Sequence, residues 1–101
     1  MKQEDQRRAI EYFSKAIKVN PENGNAYSLR GFTKAKLRDY RGAIADYSKI
    51  TEIYPELADT YYRRDNFKHM QGDKDGSCLD WSKAGELGNG VAYDFIKKYC
   101  N

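Results

Sequence analysis

Apolar side chains along this 101-residue chain recur at spacings of three and four. Ala9, Phe13 and Ala16 lie four and three positions apart, which gathers them on one face of an α-helix. Between such stretches sit helix breakers: NPENGN, RDYRG, YPEL, QGDKDG and LGNG. The pattern predicts an all-α chain of about six helices, over 4–19, 24–37, 40–53, 58–71, 75–87 and 91–100. Asp39 and Asp75 are the expected N-caps, because a short carboxylate there accepts the free N–H groups of a first turn.

The pattern also repeats. Ala9-Ile10-Glu11-Tyr12-Phe13-Ser14-Lys15-Ala16 recurs 34 positions later as Ala43-Ile44-Ala45-Asp46-Tyr47-Ser48-Lys49-Ile50. It recurs again as Ser77-Cys78-Leu79-Asp80-Trp81-Ser82-Lys83-Ala84. Each copy keeps a small leading residue, an aromatic in fifth place and Ser-Lys after it. Pro21 and Pro55 share one offset, and Asn89 takes the third proline's place. A second block aligns Tyr27 with Tyr61 and Arg30 with Arg64. Each unit is thus a pair of helical segments.

A 34-residue period with Ala-x3-aromatic, and a proline eight residues after the aromatic, resembles the tetratricopeptide repeat. The resemblance covers almost the whole chain. It implies an α-solenoid of antiparallel helix pairs wound into a superhelix. The expected units are 1–21 (a partial repeat, second helix only), 22–55 (full), 56–89 (full but atypical) and 90–101 (a capping helix). A chain that starts in mid-repeat is either a small protein with a reduced first unit or part of a longer array. The departures are specific. Arg30 and Arg64 stand where the family often has leucine, Asp65 where it usually has glycine, and Ser77 and Asn89 mark the last unit. Terminal repeats are atypical because one face lacks a neighbour.

Composition narrows the class further. Hydrophobic content of 40% suits one globular domain. No apolar run nears the ~20 residues of a membrane span, and residues 1–10 do not read as a signal peptide. Net charge is +3, with 11 Lys/Arg against 6 Asp/Glu in residues 1–50 and 7 against 9 in the remainder. Acids are interleaved throughout, so nucleic-acid binding is not the expected role. Chemistry is sparse. One histidine and two cysteines without Cys-x2-Cys spacing make no zinc site. There is no phosphate-binding loop, and GDKDG lacks a calcium loop's ligand pattern. No catalytic residue, cofactor or small-molecule substrate is expected.

The repeat reassigns the most eye-catching stretch, SCLDWS at 77–82. Trp81 falls on the core position of Phe13 and Tyr47. Arg30 and Asp46 are symmetric about Arg38, and Arg64 and Asp80 about Gly72, so both are expected as partly exposed ion pairs between paired helices, contributing no more than ~1 kcal/mol each. Cys78 aligns with Ile10 and Ile44, which fits a buried thiol acting as a small hydrophobe. It is also symmetric with Cys100 about Asn89, which fits a disulfide. The same pair resembles C-terminal units of exported repeat proteins of the Bacteroides type. An oxidised pair would imply the periplasm or export, and free thiols the cytoplasm.

The family resemblance places a partner protein or peptide in the concave groove lined by the first helix of each unit. Carried over by position, this gives Asn25, Ser28, Leu29, Phe32 and Lys36, then Asp59, Tyr62, Arg63, Asn66 and His69, with Tyr93, Ile96 and Lys97 as additions from the last helix. Phe32 and Tyr62 are off the core register and are expected to be free for binding, since aromatics and Arg dominate binding hot spots. Some relatives hold a chaperone's two terminal carboxylates with Lys and Asn four apart on one helix. Ser28 and Phe32 stand there instead, so chaperone tails are not the expected ligand. The alternative roles are a structural segment of a larger array and, less favoured, RNA binding.

Overall fold

The structure is a computed structural model and describes residues 2–100. It runs through α1 (Lys2–Val19), α2 (Gly24–Lys36), α3 (Tyr40–Ile53), α4 (Ala58–Gln71), α5 (Lys74–Glu86) and α6 (Gly90–Tyr99). No strand occurs among the described residues. Each helix packs on its sequence neighbours, giving an elongated stack of 40 × 27 × 18 Å. The fold is an all-α helical repeat.

Local chemistry sets the helix ends. Asn23, Asp39 and Asn89 cap α2, α3 and α6 by accepting from first-turn N–H groups. The cap of α5 is Asp73 and not the expected Asp75. Asp73 lies 34 residues after Asp39 and accepts from Gly76 N at 3.0 Å, as Asp39 does from Gly42 N at 2.9 Å. Asp75 falls inside the first turn, where its charge faces the positive end of the helix. The turns inside the two hairpins also match: Gly72 has φ 93° and Arg38, at the same offset, has φ 64°. Only glycine adopts that region without strain, so Arg38 holds a costly conformation.

Packing gives two linked cores. Tyr27, Ala43, Tyr47, Ile50 and Phe67 form one, across α2, α3 and α4. Tyr61, Trp81, Ala84 and Ala92 form the other, across α4, α5 and α6. Trp81 is 1% exposed, as its repeat position requires.

Two charge networks tie the helices together. Arg30 donates to Asp46 from Nε at 3.0 Å and Nη2 at 2.6 Å, and Arg64 donates to Asp80 at 2.7 and 2.6 Å. Lys34 and Lys68 add second cations at 3.3 and 3.0 Å. These pairs are more enclosed than expected: the Asp46 and Asp80 side chains are only 4% and 6% exposed. The estimate of ~1 kcal/mol for a surface pair therefore does not apply, because each carboxylate is buried and doubly bonded. The arginines also reach the preceding helix pair. Arg30 Nη1 donates to Ser14 Oγ and Arg64 Nη1 to Ser48 Oγ, at 3.1 and 3.2 Å. That gives the serines of the first two copies a structural role.

Candidate groove between the first helices

Helices α2 and α4 flank a cleft of about 490 Å³ whose floor comes from α3. Asn25 and Ser28 of α2 line it, with Asp59, Thr60 and Arg63 of α4, Tyr47 and Ile50 of α3 and Tyr54, the residue that caps the end of α3. The floor is pinned. Tyr47 Oη donates to the Ser28 carbonyl at 3.1 Å, and Tyr54 Oη donates to the Glu22 carbonyl at 2.8 Å. Asn23, at the mouth, spends its side chain on the α2 cap. Asp59 and Arg63 are exposed, and neither is held in an ion pair among the described residues.

Of the residues expected in the groove, the cleft brings together Asn25, Ser28, Asp59 and Arg63. Leu29, Phe32 and Lys36 lie further along α2. Leu29 is exposed, Phe32 is 44% exposed, and the Lys36 ammonium sits 5.0 Å from the Phe32 ring centre. This apolar ledge carries a cation at its far end. Tyr62, Asn66 and His69 lie along α4 outside the cleft and are half-buried.

Two of those residues differ from expectation. Tyr62 packs on Phe95 of α6 with ring centres 5.6 Å apart, so packing does use this ring. His69 sits against Trp81 at 5.5 Å and Tyr99 at 4.5 Å, joining the terminal ring cluster. The reason is α6, which lays Phe95 and Tyr99 over that stretch of α4. Conversely, Tyr47, Ile50 and Tyr54 line the cleft from the second helix of a pair and its C-cap. Tyr47 was legible only as a core ring, and Tyr54, next to Pro55, gave no periodic signal.

Cys78 and Cys100 are joined in a disulfide that ties α5 to the end of α6, with Cα atoms 5.9 Å apart. Asp65 is fully buried, and neither carboxyl oxygen has a hydrogen-bond partner. Burial, reinforced by the Asp80 carboxylate, pushes its pKa up to about 9 against the opposing pull of Lys68 and Arg64. It is therefore a neutral acid at pH 7. Ser77 Oγ and Trp81 Nε1 are likewise buried without partners. Asp80 holds two cations, which fits a structural tie. Among the described residues no three His, Cys, Asp or Glu side chains are placed to hold a metal. Among the described residues no helix is long and apolar enough to cross a membrane.

Stacked helix pairs with a side groove define an α-solenoid of the helical-repeat class. Within that class the sequence matches the tetratricopeptide repeat over residues 1–23 and 24–57, and the chain belongs to this family. The matched span ends just before α4. Among solved structures, the first tetratricopeptide domain of Spaghetti (RPAP3), bound to the HSP90 peptide SRMEEVD, is 20% identical. The alignment covers 98% of this chain and 80% of that one, with a TM-score of 0.85. The second such domain of human RPAP3, in complex with the HSP70 peptide SGPTIEEVD, is 20% identical over 95% of this chain and 82% of that one, at 0.84. The Arabidopsis OM64 domain is 22% identical over 95% and 81%, at 0.82. At these identities the likeness establishes the fold. No curated relative matches the chain.

Proposed function

We propose that this chain is a non-catalytic protein-interaction module that holds an extended partner segment between α2 and α4. The observation that carries the reading is the pairing of a pinned cleft with an exposed apolar ledge. Asn25, Asp59 and Arg63 offer polar and charged groups in the cleft, and Leu29 and Phe32 continue it along α2. An arginine outside the ion pairs among the described residues and an exposed aromatic are the residue types that anchor interfaces. The RPAP3 relatives bind peptides, which supports the reading. Ser28 and Phe32, in place of a Lys and Asn pair, argue for a ligand other than a two-carboxylate chaperone tail.

The test is selection of peptides from a displayed library, followed by affinity measurement. Phe32→Ala and Arg63→Ala should each weaken selected peptides at least tenfold while leaving the Tm unchanged. Peptides indifferent to both substitutions would place binding elsewhere.

A second reading, a structural segment of a larger array, is favoured by Tyr12. It occupies the register of buried Asp46 and Asp80 yet is 70% exposed. Light scattering tests self-association through that face: a clean monomer at high concentration counts against it.

A further inference from the structure

We propose that α6 is a redox-latched lid over the terminal ring cluster, held shut by the Cys78–Cys100 disulfide. Three observations carry this. First, α6 is ten residues long and Ala92 is its one fully buried residue. A helix that short is not stable by itself in water and depends on what it packs against. Second, its far end is clamped: the disulfide ties Cys100, which follows its last turn, onto α5, while at its start Asn89 caps the helix itself, accepting from Val91 N and Ala92 N. Third, what lies beneath is apolar and aromatic. Phe95 stacks on Trp81 at 5.4 Å and Tyr99 lies 5.7 Å from it, while the same two rings meet Tyr62 and His69 of α4.

The switching step is thiol–disulfide exchange. A dithiol reductant attacks one sulfur, the S–S bond breaks, and a second attack closes the reductant's own disulfide. Two electrons and two protons pass to Cys78 and Cys100, which leave as thiols. Both cysteines are half-buried and not sealed in the core, so a reductant can reach them. Once the far clamp opens, α6 depends on its join at Asn89 and on side-chain packing, which a ten-residue helix sustains weakly. It swings away and uncovers Trp81, Tyr62 and His69. Tyr62 and His69 lie on α4, the helix that also carries Asp59 and Arg63. Reduction thus extends the exposed face of α4 from the cleft toward its C-terminal end.

The chain has one tryptophan, so Trp81 reports the state of the lid directly. Free-thiol titration of protein purified without reductant should find no thiols. Dithiothreitol should then red-shift Trp81 emission, raise its quenching by acrylamide several-fold, and speed hydrogen exchange of amides 92–99 at least tenfold. Amides of α2 and α3 should keep their protection, and reoxidation should reverse the changes. The Cys78→Ser, Cys100→Ser double variant should match the reduced protein. Should that variant fail to fold, the dithiothreitol arm on the unaltered chain decides alone. Two free thiols at the outset would overturn the proposal. So would unchanged α6 exchange after reduction, or an equal loss of protection in every helix.

Discussion

Replacing Asp65 by alanine should make this protein more stable, and by an amount that grows with pH. The folded chain keeps the carboxyl protonated with a pKa of about 9, against an ordinary value of 3.8 in the unfolded chain. Below about pH 4 the group is protonated in both states, so no pH-dependent penalty remains. As pH rises, the unfolded chain gains a solvated carboxylate while the buried group stays neutral, so stability falls until the folded pKa is reached. At roughly 1.4 kcal/mol per pH unit, the penalty at pH 7 is of the order of 4 kcal/mol. The void left by the carboxyl subtracts about 1 kcal/mol from the gain, and alanine's better helix propensity returns about half of that. The net expectation is a gain of about 3.5 kcal/mol at pH 7, a large share of the roughly 5–15 kcal/mol typical of a domain. Denaturant titrations of both proteins at pH 5, 7 and 8.5 provide the assay. A stability difference that does not change with pH would refute the reasoning, and so would a destabilised variant.

The Arg64–Asp80 pair should behave as a buried tie. Asp80→Asn alone should cost about 3 kcal/mol, and a double-mutant cycle with Arg64→Gln should give a coupling above the ~1 kcal/mol of surface pairs; additive losses would contradict it. Arg38→Gly relieves a left-handed backbone worth about 1 kcal/mol, partly offset by a more flexible unfolded chain. The expected Tm rise is about 3 °C by calorimetry. Trp81→Ala should cost about 3–5 kcal/mol through the cavity it leaves, and a loss below 1 kcal/mol would mean the ring is not a core element.

Much of this architecture is legible along the chain because helix packing repeats a chemical requirement at a fixed interval. Ala43, Tyr47 and Trp81 are buried where the 34-residue offset puts them, and Arg30 and Arg64 find their carboxylates by hairpin symmetry alone. The same offset relates Asp39 to Asp73, the residue that caps α5 in place of the expected Asp75. What periodicity cannot convey is burial by elements that break the repeat. Tyr62 and His69 occupy groove register but are stacked by Phe95 and Tyr99.

By itself, then, the sequence determined the helix count, the pairing of helices, the core rings and the cross-helix charges, because each follows from a local spacing repeated in register. Only the tertiary structure decided how deeply those charges sit, which side chains share the α2–α4 cleft, and that Asp65 lies sealed without a partner. Those properties depend on how closely helices approach in space. A side chain's dielectric surroundings are fixed by that approach and by no pattern along the chain.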